Sequence, residues 1–119
     1  MLKLALGTAQ LGLDYGINNP RGKVPAPEAI SILAAASRGG IDTLDTARAY
    51  GESEGVIVAF LRSGAGSFRV ATKVKGSSAR EARDSLAASL AALGSSSVYA
   101  CLIHDFGAFD KDPSAWRAL

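Results

Sequence analysis

The chain predicts an α/β fold of the (β/α)8 TIM-barrel kind, of which it writes about four βα units, the amino-terminal half of a barrel. Three observations carry this. Strand-like and helix-like stretches alternate strictly from one end to the other, as parallel α/β architectures do. Three of the strand ends carry reactive groups, Asp45, Lys73 and His104, and barrel enzymes gather such groups on one face. The turn after the first strand, Gly7-Thr8-Ala9-Gln10-Leu11-Gly12, lacks the middle glycine that a doubly wound nucleotide fold would place there. A complete barrel takes ~250 residues, so residues 1–119 are expected to form a partial barrel domain that stops within its fourth helix.

The elements follow in order. Leu2 to Thr8 alternates as a strand, and Ala9 to Arg21, rich in Gly, Asn and Pro, reads as a long loop of the kind that often holds ligand. Pro27 and Glu28 suit the first turn of a helix, where a missing N–H is harmless and an acid meets the positive end of the dipole. That helix runs to about Arg38 with Ile30, Leu33, Ala34 and Ala36 at helical spacing, and Gly39-Gly40 stops it. A strand from Ile41 to Thr46 follows. Ser53 to Arg62 is expected as a helix burying Val56, Ile57 and Phe60, and the Gly64-Ala65-Gly66 turn leads into a strand from Phe68 to Val74. Ser78-Ala79-Arg80-Glu81 has capping-box spacing. The helix it opens presents Ala79, Ala82, Leu86, Leu90 and Leu93 as an apolar stripe, turns Arg80, Arg83 and Asp84 to water, and ends at Gly94. Val98 to Ile103 is almost wholly apolar, as a parallel strand covered on both faces should be. Asp112-Pro113 then opens a last helix of barely two turns.

Composition narrows the function classes. The chain is 48% hydrophobic, enough for a core, and its 13 Lys and Arg against 11 Asp and Glu are interspersed. There is no basic stripe to meet a phosphate backbone, so nucleic acid is not an expected partner. No stretch approaches the ~20 apolar residues of a membrane span, and the amino terminus does not resemble a signal peptide. The single cysteine, Cys101, lies in an apolar run and reads as a small hydrophobe, which fits a reducing, cytoplasmic setting.

The central stretch runs from Gly40 to Glu54. Asp45 ends its strand and Tyr50 follows in the loop, so an acid and a phenol stand together at a carboxyl-end face. Singly, each has a bland reading: Asp45 as a turn cap, Tyr50 as a loop plug, Lys73 as a surface charge, His104 as a polar neighbour of Asp105. Jointly, and in this order, they form a constellation.

The segments that hold it, Gly7-Thr8-Ala9-Gln10-Leu11-Gly12, Leu44-Asp45-Thr46-Ala47-Arg48-Ala49-Tyr50-Gly51-Glu52-Ser53-Glu54, Ala71-Thr72-Lys73-Val74 and Leu102-Ile103-His104-Asp105, resemble the motifs of the aldo-keto reductases across essentially the whole chain. The resemblance implies an NADPH-dependent reductase of aldehydes or ketones with the catalytic residues Asp45, Tyr50, Lys73 and His104. It also implies that Gly7, Thr8 and Asp45 approach the nicotinamide side of the cofactor, while the grip on the adenosine phosphate belongs to later strands. The residue types suit those roles. Tyr50 would give the proton, and an ammonium at Lys73 would favour the phenolate that remains. Asp45 would hold Lys73 charged, and His104 would orient the carbonyl or join a proton relay. No metal ligand set is expected. Two other readings stay open: a reductase-like module that binds nucleotide without turnover, and another barrel enzyme using Lys73 for a Schiff base. Half a barrel also leaves open strand edges, through which copies could associate.

Overall fold

A computed structural model describes residues 3–119. Strand β1 (Ala5–Gly7) is followed by the single-turn helix α1 (Ala9–Gly12), then α2 (Ala26–Arg38), β2 (Thr43–Asp45), α3 (Ser53–Arg62), β3 (Arg69–Val74), α4 (Ala79–Leu93), β4 (Ala100–Ile103), α5 (Phe106–Lys111) and α6 (Ser114–Arg117). The four strands form one parallel sheet in the order β1-β2-β3-β4. This is half of a (β/α)8 barrel, the predicted class. Leu2, the expected start of the first strand, lies outside the described residues.

Side-chain alternation along the strands separates two faces. Leu6, Leu44 and Val70 stand in register and point to the helices, as do Thr72 and Val74, both fully buried. Against them α2 packs Ala29 and Leu33, and α3 packs Ile57 and Phe60; α4 contributes Leu93. Phe60 is fully buried with Phe68 at 5.6 Å between ring centroids, a contact beyond the ~1.5–3 kcal/mol that burying such a side chain contributes. The other face carries Gly7, Asp45, Ala71 and Ala100 in one row, with Lys73 and Leu102 in the next.

The helix boundaries have local causes. Pro27 sits in the first turn of α2, and Gly39 ends that helix with its N–H on Ala35 O. The expected capping box at α4 is present in one half: Ser78 Oγ accepts from Glu81 N at 3.1 Å, whereas Glu81 Oε2 accepts from Ser77 N, one residue before the cap, at 3.1 Å. Gly94 closes α4 in the left-handed region at φ 61°, which a Cβ would strain. Arg80 and Asp84 pair across one turn on its exposed side.

Three expectations need correction. The segment after the first strand is not loop throughout, because Ala9–Gly12 closes a helical turn, with Leu11 N on Thr8 O and Leu13 N on Ala9 O, and so buries Leu11. The strand β4 is covered on one face only: Leu102 is 45% exposed, because the row it shares with Lys73 faces the open side of the half barrel. An additional helix, α5, precedes the expected last one. Asp105 caps it through a bond from Gly107 N at 2.7 Å, while α6 starts one residue later than expected, with Pro113 at its N-cap and Asp112 just before it accepting from Ser114 N at 2.9 Å. Trp116, a type usually sunk into a core, is 57% exposed.

Candidate active site

The site stands at the carboxyl ends of the strands. Leu44, Thr72 and Val74 are buried toward the helices, so alternation sends their neighbours Asp45 and Lys73 to the open face. Lys73 Nζ donates to Asp45 Oδ1, to Thr46 O at 3.1 Å and to the Tyr50 hydroxyl at 3.3 Å. These three bonds use all three donors of the ammonium. Burial is the largest influence on Lys73 and works against its charge. The hydrogen bonds and charges of Asp45 and Tyr50 together outweigh it, and the net effect holds the lysine above its usual range. His104 follows β4; its backbone N–H donates to Val74 O at 2.9 Å, and its ring meets Tyr50 edge-on with centroids 5.8 Å apart. The four residues singled out as a constellation are therefore brought together.

The loop that carries Tyr50 rests on the first βα turn. A Cβ on Gly12 would stand 1.7 Å from Tyr50 O and 2.4 Å from Ser53 N, so only glycine permits this approach. Glu52 N donates to Gly12 O at 3.2 Å, and Lys23 reaches Glu52 at 2.6 Å from the loop between α1 and α2. That loop is held by Asn19, whose amide donates to Tyr15 O and Gly22 O, and it brings Tyr15 within 6.5 Å of Tyr50.

Between these parts lies a concavity of about 250 Å³ lined by Gly7, Thr8, Ala9, Gln10, Tyr15, Asp45 and Tyr50. Around the Gly7 Cα nothing stands within 4 Å of where a side chain would begin, which leaves a flat, open surface beside the acid and the phenol. Thr8 lines the same concavity, yet it is fully buried and its hydroxyl donates to Asp45 O at 3.0 Å, fixing one strand end to the next.

A second polar layer lies beneath. Ser53 Oγ donates to Thr8, at 2.8 Å from Oγ1 and 3.0 Å from the carbonyl. Since that serine has one proton, Thr46 Oγ1 is the donor in its 3.1 Å contact with Ser53 Oγ. Glu54, 1% exposed, accepts from Thr72 Oγ1 at 2.9 Å and from the Arg48 guanidinium. Apart from Thr8, sequence reasoning did not single out these residues. Their signal was a threonine two residues after Leu6, Leu44 and Val70 in turn, in one register row that alternates away from the open face.

Among the described residues no cluster of His, Cys, Asp and Glu could hold a metal, and no helix is long and apolar enough to cross a membrane. The Aldo/keto reductase family profile matches residues 3–119. The chain belongs to the aldo/keto reductase family. Among solved structures, a Pseudomonas aeruginosa protein assigned to the aldo-keto reductases is 28% identical with a TM-score of 0.74, covering 95% of this chain and 49% of its own. A Bombyx mori aldo-keto reductase solved with NADP shares the fold at 22% identity and TM-score 0.65, over 84% of this chain and 33% of its own. A Klebsiella pneumoniae aldo/keto reductase solved with NADP and acetate does so at 20% and 0.64, over 83% and 34%. No curated protein matches the sequence. The chain thus spans about half the length, or less, of these reductase structures.

Proposed function

We propose that this chain carries the catalytic half of an NADPH-dependent reductase that converts an aldehyde or ketone to an alcohol. The observation that supports it most is the bonding of Lys73 Nζ to both Asp45 and the Tyr50 hydroxyl, beside an open concavity. When bound, NADPH supplies the hydride that reduces the carbonyl carbon. Gly7 and Asp45 are suited to hold its nicotinamide end, since the bare Gly7 Cα leaves room for a flat ring. NADP in two family structures supports the choice of cofactor.

Within this reading each residue has a defined task. Tyr50 gives its phenolic proton to the carbonyl oxygen, and the phenolate it leaves is stabilised by the Lys73 ammonium and reprotonated from solvent. Asp45 keeps Lys73 charged and aimed. His104, against the Tyr50 ring, orients the carbonyl. A lysine held above its usual range stays protonated near neutral pH, which disfavours the Schiff-base alternative, because that chemistry needs a neutral amine.

Residues 1–119 would form one domain half in the cytoplasm, inactive without the remaining strands and able to self-associate through its open edges. Two assays test this. The purified 119-residue chain should show no carbonyl-dependent NADPH oxidation, and turnover by it would refute the inactivity. In a complete barrel containing this half, Tyr50→Phe should lower the rate about 100-fold or more while NADPH affinity holds. An unchanged rate would remove Tyr50 as the acid.

A further inference from the structure

The buried carboxylate of Glu54 has no place in the proton transfer, yet it bonds a close chain neighbour of each member of the pair proposed to perform it. We propose that Glu54 is a positioning residue that holds the Lys73 ammonium and the Tyr50 phenol at their working separation. The inference rests on the function proposed for that pair.

Glu54 lies in the first turn of α3 and is 1% exposed. One carboxylate oxygen accepts from Thr72 Oγ1 at 2.9 Å, and Thr72 directly precedes Lys73 on β3. The other accepts from Arg48, two residues before Tyr50 in the loop. Arg48 also donates its backbone N–H to Lys73 O at 3.0 Å. The carboxylate therefore joins the strand that carries the ammonium to the loop that carries the phenol. Ser53, its neighbour, joins the ends of β1 and β2 in the same way.

Desolvating a carboxylate is expensive, and a well-packed hydrophobe fills such a space at least as stably. A hydrophobe could not bond Thr72 and Arg48 at once. The lysine stem is flexible, so the 3.3 Å contact between Nζ and the Tyr50 hydroxyl depends on the offset between strand and loop. A slip of about 1 Å at such a site can lower a rate ~100-fold. The groups facing Lys73 are Asp45 from the end of β2, the Thr46 carbonyl and Tyr50, with the His104 ring edge-on to the phenol. Those facing Glu54 are Thr72 and Arg48.

The test titrates Lys73 by NMR of the side-chain carbons in the 119-residue chain, assigned through Lys73→Met, in the wild type, Thr72→Val and Glu54→Gln. Urea unfolding is followed alongside. Thr72→Val removes one bond to Glu54 without changing any charge, and its shape suits a strand. The expected result is a fall of the Lys73 midpoint by about half a unit or more in Thr72→Val, because the ammonium loses part of its hold on Asp45 and Tyr50. A fall in both variants also supports the proposal. An unchanged midpoint in both, whatever the loss of stability, overturns it, as does a fall in Glu54→Gln alone, which would be the carboxylate's charge acting through space. The readout needs no turnover. Failure of the proposed function, seen as an undiminished rate in Tyr50→Phe, is thereby distinguished from failure of the positioning role.

Discussion

The ends of β1, β2 and β3 differ from the end of β4 in how their side chains are satisfied. On the first three, Thr8, Thr46 and Thr72 are fully buried and each hydroxyl is bonded, two of them to Ser53 and one to Glu54, adjacent residues in the first turn of α3. On β4, Leu102 is exposed, and Phe106 and Trp116 stand 75% and 57% exposed around an apolar concavity of about 490 Å³. His104 is held there by one backbone bond and one ring contact. The difference teaches that Asp45, Lys73 and Tyr50 are held by bonds made among the first three strands and their loops, whereas the β4 side presents apolar surface to solvent.

Four experiments break or sharpen that contrast. The largest effect is expected from Phe60→Ala, which empties the core under the three tied strands; urea unfolding should show a loss of about 3–5 kcal/mol. Next, Ser53→Ala strips partners from two buried threonines. It should lower stability by about 1–3 kcal/mol, and a loss below that range would mean that the hydroxyl layer does not hold the strand ends. The third is a pH series. Lys73 is raised in the folded chain above its ordinary 10.5, so its contribution is fully present below that value and disappears as pH climbs through the higher folded value. Lys73→Met should flatten this alkaline decline, and two superimposable alkaline profiles would count against a raised lysine. The smallest effect belongs to Leu102→Ser on the open row: unfolding should change by no more than about 0.5 kcal/mol, while sedimentation at high concentration should report less self-association. Were Leu102→Ser as destabilising as Ser53→Ala, the contrast between the two regions would collapse.

How far the sequence discloses this structure depends on whether the signal is local. Long helices declared themselves through periodicity and caps, as Ser78, Glu81 and Gly94 do for α4. The motif residues Asp45, Tyr50, Lys73 and His104 were legible because three separated strands each ended in a reactive group and the tyrosine followed the first of these in the same stretch. Short elements were not. Ala9–Gly12 is one turn, too brief for a period, and it forms because Leu11 and Gly12 are clamped between the core and the Tyr50 loop. Glu54 in a first helical turn reads as a favourable charge at the dipole. Its burial against Thr72 and Arg48 depends on a strand and a loop that no local pattern brings together. Leu102 misled for the same reason. An apolar strand says that both faces can be covered, not that both are.

The order of the sheet has a consequence for how the chain comes into being. Each strand lies beside the one written just before it, from β1 through β4, with a helix crossing in between. A ribosome releases the amino terminus first, so every strand that emerges finds its neighbour already outside and needs no partner still to be made. Assembly can then advance like a stair, each step laid on the last. The final tread is β4, which has a strand on one side only and keeps its other backbone edge unpaired among the described residues.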